Sequence, residues 1–361
     1  MEANRNNPAV SPGKPGTWSR RTLCLLALCL SLAGCQKESI YTMEARSNFE
    51  ALWKIMDEHY CFFEYKEVDW NEVHRTYSRQ VSDTMNQYEL FDFLGNMLAE
   101  LKDGHTNLVS SFNVARYWAW YENYPANFSY DIQKNYLGTA YHISGGLKYL
   151  RLPDTAVGYI YYGSFSNMVT ERGLDEVFKH FADCRGLIID VRDNGGGSLG
   201  YSDRIASRFL EEKIAAGYII HKTGPGHGDF SERYPIELKP SDRTRWLRPV
   251  VVLTNRHSFS ATNDFVYKMR LLPHVKTMGD RTGGGSGLPF NSELPNGWIV
   301  RFSASPILDV NGQHTESGID PDIKIDMTPE DMARNKDTLI EEAVKWINSQ
   351  SESQTQPGSD G

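Results

Sequence analysis

The chain has 361 residues, with 38 Lys and Arg against 46 Asp and Glu and a formal net charge of −8. Such an acidic chain lacks the basic field that draws a phosphate backbone, which argues against nucleic acid as a partner. With 40% hydrophobic and 12% aromatic residues, it can bury a sizeable core as one large or two modest domains.

In chain order, Arg20 and Arg21 precede an apolar run over 23–30 and the small-residue stretch Ser31-Leu32-Ala33-Gly34, which ends at Cys35. Charge, apolar run and small residues in that order predict a cleavable signal over 1–34. The run is too short for a permanent span, which needs about 20 apolar residues. The string LAGC at 32–35 resembles the lipobox of bacterial lipoproteins, in which the cysteine thiol is acylated and becomes the new first residue. That resemblance implies a protein held in the cell envelope by lipid on Cys35. Gln36 after the cysteine favours the outer membrane, on its periplasmic or its surface face. An ordinary secreted protein or an apolar N-terminal helix is the competing reading. Cys24 and Cys29 leave with the signal, so Cys61 and Cys184 remain. They can pair, or stay buried as free thiols, which their helical and strand contexts favour. Two cysteines make no metal framework, and no metal or cofactor is expected.

Over 35–107 the apolar residues recur at helical spacing, as in Phe49, Leu52, Trp53, Ile55 and Met56 and again in Leu90, Phe91, Phe93, Leu94 and Leu98. This predicts an N-terminal helical region in which Trp53, Tyr60, Phe62, Phe63 and Trp70 are packing residues. Residues 108–156 include YWAWYENYPANFSYD at 117–131 and suit short strands or a cap over a cleft. Their aromatics are expected to pack rather than to touch substrate. From Val157 the strings GYIYYGSF, GLDEVFKHFADC, GLIIDVRDNGGG and SDRIASRFLEEK alternate strand and helix patterns. They predict an α/β core over 157–348. PVVVLTN at 249–255 is a further strand that turns at 258–262 into a helix, and 298–309 alternates like strands. The closing helix TLIEEAVKWI precedes a polar tail, 349–361, expected to be disordered.

Acyl transfer at neutral pH needs a nucleophile, a base within hydrogen-bond reach, and donors aimed at the developing oxyanion. Ser260 follows an apolar strand and opens a helix, a corner with free backbone amides that is physically like a nucleophile elbow without its GxSxG string. By itself such a serine reads as a helix N-cap. LKDGHT at 101–106 places His105 after a helix and a glycine turn, and DVRDNGGG at 190–197 ends a strand in a turn whose backbone can approach a ligand closely. A calcium loop would need a different spacing of acids.

Together, DGHT, a strand followed by DxRxNxGG, a strand followed by a Ser-Ala pair, and the late GxxPDI string resemble the C-terminal-processing and tricorn-type serine peptidase family, in its order, over about 49–323. The resemblance implies a crotonase/ClpP-like catalytic core and a peptide or protein substrate. It places the nucleophile on Ser260 and the oxyanion donors on the backbone N–H groups of Ala261 and Gly196. One branch of the family takes its base from a lysine after the nucleophile's helix, the other from a histidine in the DGHT-like segment. The loop GDRTGGGSGLP at 279–289 contains no lysine, with Gly285 at the expected position. Arg281 does not deprotonate. His105, of unperturbed pKa about 6.5, is then the general base. In TESGIDPDI, Glu316 matches the tricorn-like branch's glutamate that positions the histidine site. That branch carries a serine before its histidine where this chain has Gly104; a water, Thr106 or a direct Glu316 contact is expected to substitute for it, and Asp103 is a rival orienter. Asn263 stands where many lysine-branch members have glutamate, and 108–156 is too short for an inserted PDZ domain. His257, His221, His227 and the TGGGSG run lack the context of a known site motif. The expectation is a lipid-anchored, extracytoplasmic serine peptidase of unassigned oligomeric state. The alternatives are a lipoprotein that binds peptides without turnover, for which the absent lysine and Gly104 speak, and a structural envelope protein.

Overall fold

The computed structural model describes residues 42–353; Cys35 and the LAGC string lie outside the described residues. Three helices come first: α1 (Ala45–His59), α2 (Trp70–Ser78) and α3 (Gln87–Ala99). Next come β1 (Asn107–Val109), β2 (Val114–Arg116), α4 (Tyr130–Leu137), β3 (His142–Ser144), β4 (Leu147–Arg151), β5 (Val157–Tyr162), α5 (Glu171–His180) and β6 (Gly186–Asp190). After them lie α6 (Leu199–Ala206), a 3-10 turn at Ser207–Phe209, β7 (Ile214–Ile219), β8 (Tyr234–Leu238), β9 (Val250–Thr254) and α7 (Ala261–Arg270). The chain closes with β10 (Val275–Gly279), β11 (Gly287–Glu293), β12 (Ile299–Leu308), β13 (Ile323–Lys324), α8 (Pro329–Ala333) and α9 (Thr338–Ser353). This is a mixed α/β fold. Among the described residues no helix is long and apolar enough to cross a membrane.

Seven strands form one sheet in the order β13-β10-β9-β6-β5-β4-β3. Pairing is parallel from β13 to β5 and antiparallel onward through β4 and β3. Successive residues enter opposite cores. Leu187, Ile189, Val250 and Val252 join one with Phe265 of α7, while Ile188, Val251 and Leu253 join another with Leu339, Ile340 and Ile347 of α9. Burial on both faces is why GLIID and VVVLT are continuous apolar runs. Open parallel sheets bind ligands beyond the carboxyl ends of their strands. β6 and β9 end side by side, and their continuations are the DVRDNGGG turn and the SFSA corner.

The second sheet runs β2-β1-β12-β7-β8, with β11 also paired to β12. The N-terminal helices bury Phe49, Leu52, Met56, Leu90 and Leu94 in one cluster with Val300 and Phe302 of β12. α3 starts at a capping box, in which the Glu89 N–H donates to Asn86 Oδ1 and the Asn86 N–H to the Glu89 carboxylate. Those bonds satisfy amides the helix leaves open. Tyr60, Phe62, Phe63 and Trp70 are buried here, while Trp53 is partly exposed and donates its indole N–H to the Trp70 carbonyl.

Three elements depart from the sequence pattern. Residues 108–156 are divided between the sheets, β1 and β2 joining the second and β3 and β4 extending the first. The helix read from SDRIASRFLEEK starts earlier, at Leu199, and gives way at Ser207, where buried Arg208 donates to Asp175 and the Thr244 carbonyl, each at 2.7 Å. α9 continues to Ser353, past the expected start of the tail at Ser349. A helix anchored by buried Leu339, Ile340, Ala343 and Ile347 propagates through polar residues at one bond per residue. Cys61 and Cys184 are both buried and free, and burial raises both thiol pKa values.

Candidate active site

Ser260 sits between β9 and α7 with φ 61° and ψ −122°. A side-chain-bearing residue in that region carries about 1–3 kcal/mol of strain, which the surroundings must hold. They do so through the Ser260 N–H, which donates to the Gly284 carbonyl at 2.8 Å, and the Ser260 carbonyl, which accepts from the Asp264 N–H at 3.1 Å. Ser258 is fully buried and donates its hydroxyl to the Val191 carbonyl at 2.9 Å, a structural bond. Ala261 is the first residue of α7, and its N–H has no acceptor among the described residues.

The turn between α3 and β1 brings His105 Nε2 to 3.0 Å from Ser260 Oγ. The ring is buried and lies 4.7 Å from that of Phe259. Asp103 holds the turn rather than the imidazole. Its Oδ1 accepts from the His105 backbone N–H at 2.7 Å, and its Oδ2 from the Tyr60 hydroxyl at 2.9 Å and the Ser303 hydroxyl at 3.2 Å. Glu316 does not bond the ring either. One of its oxygens accepts from the Ser286 N–H at 2.7 Å, and the other lies 3.2 Å from Lys66 Nζ. Lys66 also donates to the Lys102 carbonyl at 3.1 Å. The Glu316 carbonyl accepts from the Gly285 N–H at 3.0 Å. Nδ1 of His105 makes no well-formed hydrogen bond, although the Gly287 backbone beside it raises the ring's proton affinity. Glu316 therefore grips the strap at 285–286 whose next residue faces the histidine.

Burial of the ring lowers the His105 pKa to about 4, Arg301 and Lys66 acting in the same direction and Asp103 against it. Burial raises Glu316 to about 7, with Asp103 adding to the rise and Lys66 and the Ser286 N–H opposing it. The signs for stability are opposite. His105 binds its proton less well folded than unfolded, so its contribution is lost as pH falls from about 6.5 through about 4. Glu316 binds its proton better folded, so its contribution is lost as pH rises from about 4.5 through about 7. With its pKa lowered to about 4, the His105 ring favours its neutral form at neutral pH. The acid limb of a kcat/KM profile is accordingly expected near pH 4 to 5 rather than near about 6.5, and a limb at the higher value would show a solvated ring.

Beyond β6, Arg192 is fully buried between Asp190 and Asp337. Its guanidinium approaches them to 2.7 and 2.9 Å and donates to the Asn127 carbonyl at 2.9 Å. Asn194 follows, donating to the Tyr162 carbonyl at 2.7 Å and accepting from the Gly196 N–H at 3.0 Å and the Thr262 hydroxyl at 2.7 Å. A Cβ on Gly196, whose φ is +95°, would stand 2.6 Å from the Phe259 carbonyl oxygen and 2.8 Å from Ser260 Cβ. Only glycine lets this turn lie against Ser260. The Gly196 N–H is thus at the site but bound to Asn194, whereas that of Ala261 is free.

Three of the departures noted in the sequence, at Gly285, Gly104 and Asn263, sit in tight local packing or bonding. A Cβ on Gly285 would meet the Phe259 ring at 2.5 Å, and one on Gly104 would meet Trp120 Nε1 at 2.8 Å. Asn263 accepts from the Thr282 hydroxyl at 2.6 Å and donates to the Thr315 carbonyl at 3.3 Å, tying the glycine loop to the Glu316 segment. Trp120 stacks on Phe259 at 4.5 Å, while Tyr117 and Trp118 line a cleft of 510 Å³ that opens over Ser260. His257 pairs with Asp193, His221 with Ser305 and His227 with Asp57. The sequence pattern gives no site role to Lys66, Asn194 or Thr262 and reads Tyr60 only as packing; of these four only Asn194 lies inside a motif string.

Residues 156–325 match Peptidase family S41, and residues 41–99 match the Tricorn protease C1 domain. A candidate peptidase from Parabacteroides merdae, known from its crystal structure, is 67% identical, with a TM-score of 0.82 over 85% of this chain and 97% of that one. The tricorn protease of Thermoplasma volcanium is 24% identical over 253 residues, 68% of this chain. The carboxy-terminal processing protease CtpA of Bacillus subtilis is 22% identical over 183 residues, 50% of this chain. This chain spans 21% and 37% of the lengths of those two curated relatives. Fold and likeness together define a serine-peptidase class. The chain belongs to peptidase family S41.

Proposed function

We propose that the protein hydrolyses peptide bonds through an acyl-enzyme on Ser260, with His105 as general base. The observation that carries this reading is the 3.0 Å approach of a buried, neutral imidazole to a strained hydroxyl beside a free helix-terminal amide. Ser260 Oγ attacks the substrate carbonyl as Nε2 takes its proton, and the Ala261 N–H receives the oxyanion. The Gly196 N–H is the second donor, exchanging Asn194 Oδ1 for the stronger charge of the oxyanion. His105 then protonates the leaving amine, and water repeats the sequence on the acyl group. The seven-stranded sheet covered on both faces is in keeping with a crotonase/ClpP-like core. A serine-reactive phosphonate probe is expected to label Ser260 in the wild type and not in His105→Ala. An unlabelled wild type would instead leave a protein that binds peptides without turnover.

Asp103 and Glu316 are the histidine's supports in this reading, Asp103 through its backbone and Glu316 through the strap at 285–286. Lys66→Met leaves Glu316 buried without its cation. Loosening the strap by an ångström is expected to lower kcat by about 10²-fold with a smaller change in KM. An unchanged kcat would remove Lys66 and Glu316 from the site's support. The lipid anchor on Cys35 and an outer-membrane location, periplasmic or surface-facing, belong to the same proposal and rest on the LAGC string. Metabolic incorporation of labelled palmitate, lost in Cys35→Ala, tests them.

A further inference from the structure

Two cavities meet at the histidine turn: the cleft of 510 Å³ over Ser260, and a second of 270 Å³. Gly104, Tyr117, Trp120 and Phe259 border both, whereas His105 and Ser260 border only the first and Lys66 and Glu316 only the second. Those four shared residues are therefore the partition. Its largest member is an indole, and the backbone on either side is clear of side chains where the ring lies. A Cβ on Gly104 would stand 2.8 Å from Trp120 Nε1, and one on Gly283 would stand 2.5 Å from its Cζ3. Neither fits while the ring is in place, so the indole fills a slot between the histidine turn and the glycine loop. It stacks on Phe259 at 4.5 Å, and Phe259 in turn lies 4.7 Å from the imidazole. Residues 117–124 form no helix or strand, and they are tied to the segment that leads into Ser260. Arg256 donates its Nε–H to the Trp120 carbonyl at 2.7 Å and lies 4.4 Å over the Tyr124 ring, while the Tyr121 ring lies 4.5 Å from that of His257. The charged groups that act on His105 are Asp103 of its own turn, Arg301 of β12 and Lys66 after α1, with Tyr60 and Glu316 behind them as partners of Asp103 and Lys66, and Arg116 farther along the cleft. None of them belongs to 117–124. Removing the indole thus changes the hydration of the ring and leaves its charged neighbours in place.

We propose that Trp120 is a positioning residue of the active site, an indole plug that seals the partition between the two cavities and holds Phe259 against the imidazole. That His105 is a base rests on the peptidase reading; that the indole seals it off does not. Trp120→Ala is expected to join the cavities, admit water to the ring and raise its proton affinity toward that of a solvated histidine. The first readout needs no turnover: histidine ring signals are titrated by NMR in Ser260→Ala protein, with His105 assigned by the signal lost in His105→Ala. Within that background the midpoint is expected to rise from about 4 toward about 6.5 in Trp120→Ala, and to rise by less than half as much in Trp120→Phe, which keeps a ring on Phe259. Gly104→Ala tests the slot from its other wall, because the added Cβ displaces the indole, and it is expected to reproduce the rise. Combined with Trp120→Ala it should add little, since both substitutions act on one contact. The second readout is the rate at which the phosphonate probe labels Ser260 at pH 5 relative to pH 8. A base returned fully to about 6.5 loses roughly 30-fold in that ratio, whereas a variant that merely packs less well slows equally at both pH values. An unmoved midpoint in Trp120→Ala, or an equal rise in Trp120→Phe, overturns the plug. If Trp120→Ala unfolds before it titrates, Gly104→Ala decides, and an unmoved midpoint there overturns it as well. A midpoint that moves as expected in a protein whose wild type is never labelled would end the peptidase reading and leave the plug standing.

Discussion

Ser260→Ala is expected to lower peptide hydrolysis by about 10⁴- to 10⁶-fold, and His105→Ala by nearly as much, with the double variant little worse than either. In the proposed mechanism the two groups act as one unit across 3.0 Å, so removing either leaves only the Ala261 and Gly196 amides and the cleft to favour the transition state. Folding is expected to tell the substitutions apart. Alanine inherits the φ of 61° and keeps its strain, so Ser260→Ala should melt close to the wild type. Ser260→Gly loses the same hydroxyl but adopts that φ freely, and is expected to gain about 1 kcal/mol. Steady-state rates beside melting curves check both. Full activity in Ser260→Ala would end the assignment, and a glycine variant less stable than the alanine one would show that the corner is not strained.

Arg192→Met is expected to cost about 3–5 kcal/mol in urea unfolding, because it leaves two carboxylates buried without their cation. Asp190 and Asp337 are each wholly inaccessible, and Asp190 also accepts from the Tyr159 hydroxyl at 2.8 Å. Arg192 lies two residues before Asn194, whose side chain sets the Gly196 turn and reaches Thr262, two residues after Ser260. Activity should therefore fall before global unfolding does. A loss below about 1 kcal/mol would mean that water reaches the pair.

What the sequence made legible clusters at strand ends. β6 and β9 declare themselves as apolar runs, and the strings that follow them are constrained locally, by glycines that must approach backbone and by a serine that must open a helix. The DGHT turn is similarly local, since Asp103 caps the His105 amide two residues away. Lys66 was not legible. It follows a stretch of buried aromatics, and its partner Glu316 is 250 positions later on an irregular segment. Nor was the split of 108–156, because three-residue strands have no periodicity and β1 is defined by its pairing with β12 far down the chain. The two orienters named from the sequence lie close to the histidine, but both act through backbone, a distinction that residue types do not carry.

The Phe259 ring occupies the space that any side chain at 285 would need, and Gly285 has φ +76° besides. A lysine introduced there alone would meet the ring before it met Ser260, and Phe259 is itself part of the wall behind the imidazole. In this scaffold the two bases are therefore alternatives separated by a valley. Crossing it requires the aromatic to be cleared and the strap rebuilt together. A designer seeking the lysine enzyme from this chain would do better to start from another member of the family than to walk there one substitution at a time.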